Sequence, residues 1–267
     1  MLAARKNERI EMAYFSTAVS EVTEGVVNLR GYSLADVMKD ATYAQGAFLS
    51  ITGRMPSRDE TRLIDTILNS LLDHGYVAST ITAARYIASG NPQFIPAVAG
   101  GILAAGSNTL SPEHSFQLLD HTAELRGDGT LEEGADRVVD EYVSARKRLP
   151  GFGHPTHKTS DFRADILFDR AVELGLDGES IRQFQAIDRA FRAKTGKTNI
   201  PINIDGALAA IGRDLGWSAN QTVAFAVLSV LPGLMAHVIE EIETGRPLRY
   251  IQDGEYVGDP LTKTLKN

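Results

Sequence analysis

The chain predicts an all-α protein, and three observations carry that prediction. Apolar residues recur at three- and four-residue steps through most of the long segments. Alternation of period two is scarce. Several stretches consist of small apolar residues, which let neighbouring helices pack closely at a propensity cost of ~1 kcal/mol per Gly.

Taken in order, Val26 to Arg30 is the first plausible strand, and it is short. Leu63, Ile64, Ile67, Leu68, Leu71 and Leu72 then mark an amphipathic helix ending near Gly75. Val77 to Ala88 is rich in Ala, Ser and Thr. Pro96 to Ala105 is small and apolar, with Gly100 and Gly101 inside it. Gly106 to Pro112 is a turn-rich gap. Leu131 to Leu149 repeats Leu131, Ala135, Val138, Val139, Tyr142 and Val143, a further amphipathic helix. Leu149 to Pro155 is a second gap, dense in Gly and Pro. Arg163–Leu174, Ser180–Lys194 and Gly206–Leu215 read as helices. Thr222 to Val238 is apolar but holds Ser229, Pro232, Gly233 and His237, and reads as a buried helix. Arg249 to Val257 is the other plausible strand.

Composition excludes several classes of function. The 267 residues include no cysteine, so disulfides, zinc–thiolate sites, iron–sulfur sites and cysteine nucleophiles are ruled out. No metal is expected. A net charge of −7 argues against a general nucleic-acid binder, which needs a basic face. A 43% hydrophobic share suffices for a sizeable core. No stretch approaches the roughly 18–20 unbroken apolar residues of a membrane span. The N-terminal MLAARKNERIEMAYF shows no signal-peptide core, so a cytoplasmic, membrane-free protein is expected.

Three segments hold residues fit for chemistry. In the second gap, Pro150, Gly151, Phe152 and Gly153 lead directly into His154, with Arg146, Lys147, Arg148 and Lys158 flanking. The glycines allow a ligand close to the backbone, and the basic flank suits a phosphorylated one. A helix–helix connection with incidental basic residues explains the same loop. Asp205, in Asn203-Ile-Asp-Gly206, is either the N-cap of an Ala-rich helix or a general base. His74 follows Asp73 at a helix end. His114, His121, His157 and His237 have no motif support and suit structural roles.

Together these segments resemble the citrate synthase superfamily, most closely its short citryl-CoA-cleaving members. Gly31 to Val37 is similar to the family's "RGY-x-hydrophobic-x-(E/D)-L", and Phe48 to Glu60 to its "LLLTGELPT-x-EE". Asp73 to Thr80 is similar to "DHG-x-x-AST", and Pro150 to Ala164 to "G-(F/Y)-GHR-x-x-K-x-DPRA". Asn203 to Gly206 is similar to "N-(I/V)-DG", and the tail from Gly245 through Arg249 to Pro260 to "RP-x-R…Y-x-GP". The likeness runs along nearly the whole chain.

The resemblance implies a citrate synthase-like all-α fold, with a large domain of 1–112 and 216–267 and a small inserted helical domain of 113–215. It implies a homodimer with its site in the interdomain cleft. The implied reaction makes or breaks a carbon–carbon bond alpha to a CoA thioester, through an enol or enolate. Asp205 takes the place of the base, and His154 that of the acid on the keto oxygen. His74, Arg163 and Arg249 take substrate-binding places. Coenzyme A, entering as acyl-CoA, falls to Pro150, Gly151, Phe152, Gly153, Lys158 and Lys197, with Lys194 nearby. The partner substrate is a 2-oxo acid or related carbonyl compound.

Three departures from the family pattern bear on substrate. The His of the family's Gly-x-x-His-Gly-Gly loop falls at Asn108 or Thr109 here, and His114 is a distant substitute. Losing such a donor typically costs ~10²–10³ in rate. A carboxylate-binding Arg falls at Val230, and Val cannot form an Arg's bidentate fork. Pro155 stands where Arg is common after the loop His. Two outcomes follow: an enzyme acting on a non-standard substrate with Asn108 in the loop His's place, or a non-catalytic CoA-binding or regulatory subunit.

Overall fold

A computed structural model describes residues 16–261 and residue 264. The N-terminal stretch read above for a signal peptide lies outside the described residues. Contacts group the chain into two compact units, one of residues up to Ser70 with Pro112–Ser229, the other of Leu71–Ser111 with the residues from Val230 on.

The first unit opens with an antiparallel meander of β1 (Ser20–Thr23), β2 (Val26–Leu29) and β3 (Tyr32–Ser33). Helices α1 (Leu34–Asp40), α2 (Tyr43–Thr52) and α3 (Arg58–Ser70) follow. Thr42 and Gln45 form a capping box on α2, and Gly53 ends it in the left-handed conformation at φ 85°. Ser57 and Glu60 cap each other's amides at the start of α3. That is the local chemistry of the Phe48–Glu60 segment: a glycine stop, a proline and a capped restart. Phe48, Trp217 and Phe225 form an aromatic cluster, with Trp217 stacked 4.3 Å from Phe225.

Five further helices lie wholly in this unit: α6 (Pro112–Arg126), α7 (Leu131–Ser144), α8 (Phe162–Glu173), α9 (Glu179–Thr195) and α10 (Ile204–Asp214). The apolar repeat of α7 faces inward, with Ala135, Val138 and Val139 buried. α9 begins on Gly178, which has no side chain to cap with. Asp214 of α10 caps it instead, accepting from the amides of Gly178, Ser180 and Ile181.

The second unit holds a 3₁₀ turn at Gly75–Val77, α4 (Ser79–Gly90) and α5 (Phe94–Leu103). The small residues do what their pattern suggests. A Cβ on Gly101 would sit 2.7 Å from Leu234 and 2.9 Å from both Ala84 and the Thr80 carbonyl, and one on Gly100 would overlap Ile87. The core here is Ile81, Ala84, Ala88, Ala97, Leu234 and Val238.

α11 (Ala219–Thr244) supplies its residues up to Ser229 to the first unit and the remainder to the second. Its 26 residues are long and apolar enough to cross a bilayer by length and composition, which corrects the expectation that no segment is. Its buried polar groups are partnered within the molecule, Ser229 to the Ile67 and Leu68 carbonyls and Glu241 to two arginines, as suits a core helix.

Arg249–Val257, expected as a strand, is not one. Its entry is pinned to the end of α4, the Leu248 amide donating to the Ser89 carbonyl and the Arg249 amide to Ser89 Oγ. A strand needs a ladder partner, and among the described residues the only sheet is β1-β2-β3.

Candidate active site

The Pro150–His154 loop and the start of α10 are welded together. Asn203 donates its amide to the Gly151 carbonyl at 2.9 Å and its Nδ2 to the Gly153 carbonyl at 2.9 Å. Gly153 donates its amide to the Pro201 carbonyl at 2.8 Å, and Phe152 bridges Ile202 in antiparallel fashion. Both glycines have φ +80°, and a Cβ on Gly151 would meet Phe184 at 2.5 Å and Gly206 Cα at 2.8 Å. Only glycine lets these backbones approach so closely with that φ. The motif carrying His154 and the motif carrying Asp205 are therefore one rigid piece of backbone.

Asn203 also bears on one of the two roles left open for Asp205. Asn203 Oδ1 accepts the Gly206 amide at 3.2 Å and is the N-cap of α10. Asp205 lies one residue inside the helix, half-buried in its first turn, where the helix dipole favours a carboxylate. The cap reading of Asp205 is thus corrected: a better-placed side chain two residues earlier takes that role.

His154 is half-buried, and its Nδ1 is surrounded by donors. The amides of Thr156 and His157 donate to it at 3.2 Å, with the Thr156 hydroxyl at 3.0 Å. A nitrogen accepting two backbone N–H groups carries no proton, so the proton of the neutral ring sits on Nε2. The ring is held as a donor through Nε2. It stacks on His157 at 4.5 Å, and His157 meets the edge of Phe162.

Arg163 is 7% exposed and forms a bidentate pair with the fully buried Asp161, Nε to Oδ1 at 2.8 Å and Nη2 to Oδ2 at 2.7 Å. Asp161 also caps α8 through the Arg163 amide and accepts the Ile204 amide at 3.2 Å. Burial pushes the Asp161 carboxyl upward. The hydrogen bonds and charge of Arg163 outweigh that and hold it below its ordinary value. One carboxylate thus ties Arg163 to the residue preceding Asp205. Sequence reading missed Asp161, whose signal was its place two residues before the Arg. The pair leaves Nη1 outside it.

The remaining expected residues are more scattered. Gly151 is buried, the Gly153 amide is engaged, and the Phe152 ring turns inward to stack 5.2 Å from Phe184. The loop thus offers a nucleotide less backbone than its glycines suggest. Pro150 is half-buried, Lys158 and Lys197 are exposed, and Lys194 is ion-paired with Asp140. In the second unit, Asn108 sits exposed at the tip of a tight turn. That turn is closed by reciprocal bonds between Gly106 and Thr109. His74 is half-buried beside Asp73, which accepts the Gly75 amide. Val230 is half-buried on α11. Arg249 is bound bidentately to Glu241, at 2.6 and 2.8 Å.

Comparison with known proteins bears on the family and the fold. The citryl-CoA lyase of Hydrogenobacter thermophilus superposes with a TM-score of 0.85 at 30% identity, covering 94% of this chain and 98% of that one. The citrate synthase of Thermoplasma acidophilum, solved as a ternary complex with carboxymethyl coenzyme A and oxaloacetate, shares the fold. Its TM-score is 0.71 at 24% identity, over 84% of this chain and 59% of that one. The citrate synthase of Deinococcus radiodurans is 26% identical over 255 residues, 92% of this chain and 63% of that protein. The chain spans less than two thirds of the length of the curated relatives it matches. The model of the citrate synthase C-terminal domain matches residues 35–251, which takes in both the glycine loop and the start of α10. By that match, and by a fold shared end to end with a citryl-CoA lyase, the chain belongs to the citrate synthase family.

Proposed function

We propose that this protein makes or cleaves a carbon–carbon bond alpha to a CoA thioester, with Asp205 as the base and His154 as the acid. The observation that carries the reading is the weld between the Gly151–Gly153 loop and the Pro201–Asn203 segment. It fixes a carboxylate and a donor imidazole on one piece of backbone, and enolisation needs a base and a polarising donor held in fixed relation. Asp205 takes the alpha proton. His154, with its proton on Nε2, donates to the keto oxygen of the second substrate in condensation and takes that proton back from the hydroxyl in cleavage. Asn108 hydrogen-bonds the thioester oxygen, a weaker donor than the histidine of relatives.

His74, Arg163 through its Nη1, and Arg249 bind the 2-oxo acid or related carbonyl compound. With Val at 230, a substrate carrying fewer carboxylates than citrate is favoured. Coenzyme A lies against the outer side of Pro150–Gly153 with Lys158 and Lys197 on its phosphates. The division into 1–112 with 216–267 and 113–215, and a homodimer using the exposed Ile95 and Leu103 of α5, belong to the same reading.

The test is exchange of the alpha protons of acetyl-CoA with deuterium, in wild type and Asp205→Asn. Since Asn203 is the cap, the variant should melt near wild type. Exchange should fall by about 10² or more. Undiminished exchange in the folded variant removes Asp205 from the mechanism. Coenzyme A binding without exchange in wild type favours the non-catalytic subunit.

A further inference from the structure

His237 was given no role by its sequence context, yet it stands in the middle of a polar chain. Gly233, His237 and Glu241 recur every four residues on α11 and so share one face. A Cβ on Gly233 would lie 1.9 Å from the Leu72 carbonyl oxygen and 3.1 Å from Asp73 Cα. Glycine at that position lets the helix press against the backbone that leads into Asp73.

One turn on, His237 Nε2 lies 3.0 Å from Asp73 Oδ1, and Arg85 Nη1 lies 3.1 Å from His237 Nδ1. Arginine has only donors, so Nδ1 is the acceptor and the proton sits on Nε2, directed at Asp73. Arg85 is oriented in turn by Glu240 at 2.6 Å and by Glu241 at 2.8 Å. Glu241 is 3% exposed and is also gripped by Arg249. The same Asp73 Oδ1 that receives His237 accepts the Gly75 amide at 3.2 Å, closing the turn on which His74 sits.

We propose that His237 is a positioning residue: held by Arg85, it fixes the Asp73 carboxylate and with it the Asp73–Gly75 turn that presents His74. Its bearing on catalysis rests on the proposed role of His74 in substrate binding; its effect on the turn does not. The chain from Glu241 through Arg85 to His237 leaves the imidazole a single tautomer and a single direction. A histidine doing no more than filling space would need neither.

Two conservative variants separate its bonds. In His237→Asn the side-chain amide still reaches Arg85 but stops short of Asp73. In His237→Gln the amide nitrogen reaches the place of Nε2 and donates to Asp73. Hydrogen–deuterium exchange read at Gly75, with peptides covering 72–78, should rise about tenfold in the Asn variant and return to within about twofold of wild type in the Gln variant. Equal exchange in the Asn variant and wild type overturns the proposal, as does equal loosening in both variants. Oxaloacetate, used as the probe carbonyl substrate, should bind about tenfold more weakly to His237→Asn and near normally to His237→Gln. If the turn behaves as expected but His74→Ala leaves oxaloacetate affinity at the wild-type value, the role of His74 falls and the positioning of the turn stands.

Discussion

Replacing Asp161 by Asn keeps the side chain's shape and removes its charge, and the structure dictates what must fail. Oδ1 accepts the amide and Nε of Arg163, and Oδ2 accepts Nη2 of Arg163 and the Ile204 amide. An asparagine has one acceptor oxygen. Whichever way its amide is turned, two N–H donors lose their acceptor and face an NH₂ instead. Each buried donor so deprived costs about 1–3 kcal/mol. Breaking a buried ion pair from one side costs about 3–5 kcal/mol as a whole. The two routes overlap near 4 kcal/mol. For a chain of this size, 1 kcal/mol moves the melting temperature by about 2–4 °C, so the expected loss is about 8–16 °C. Calorimetry or a fluorescence melt at pH 7 reads it, with the exposed Asp169→Asn as a control expected within about 0.5 kcal/mol of wild type. Arg163→Met, combined with Asp161→Asn, should cost less than the two single changes summed, because the double variant leaves no uncompensated charge. A drop of less than about 3 °C for Asp161→Asn, or strict additivity in the double variant, refutes the reasoning.

Two further outcomes follow from the geometry. Gly151→Ala should destabilise by about 2–5 kcal/mol, from the left-handed backbone at about 1–2 and overpacking against Phe184 and Gly206 at about 1–3. Gly153→Ala, with the same φ but Ile200 3.4 Å away, should cost only the backbone share, and equal urea midpoints for the two would refute the packing argument. Glu241 is held below its ordinary value by hydrogen bonds from Arg249, opposed by burial and helped by the charges of Arg249 and Arg85. A depressed carboxylate stabilises the fold fully above its unfolded pKa of about 4.3, and that share is lost as pH falls through the lower folded value. The melting temperature of wild type should therefore fall more steeply below about pH 4 than that of Glu241→Gln, and parallel profiles would remove this group from the acid response.

The helical fold and the position of its special backbone are legible in the residues alone. Leu63, Ile64 and Ile67 recur with helical spacing, and all three are buried, because a helix offers one face to the core. Gly100 and Gly101 announced close helix packing, and the gap of two glycines before His154 announced a fixed loop path. Both are legible because glycine's conformational freedom is local chemistry. Which groups each polar side chain meets depends on the folded chain. Asn203 and Asp205 are equally good caps on paper, and only the register of the helix start gave the cap to Asn203. The glycine loop suggested a nucleotide cradle, yet much of its hydrogen bonding goes to Pro201 and Asn203, a partner some fifty residues away. Asp161 sits inside a family-like segment without being singled out there, and His237 reads as structural. Their importance comes from Arg163 and Ile204 in one case, and from Arg85 and Asp73 in the other. Those partners are distant in sequence or unremarkable in it, because a hydrogen bond depends on where the folded chain delivers its donor and acceptor.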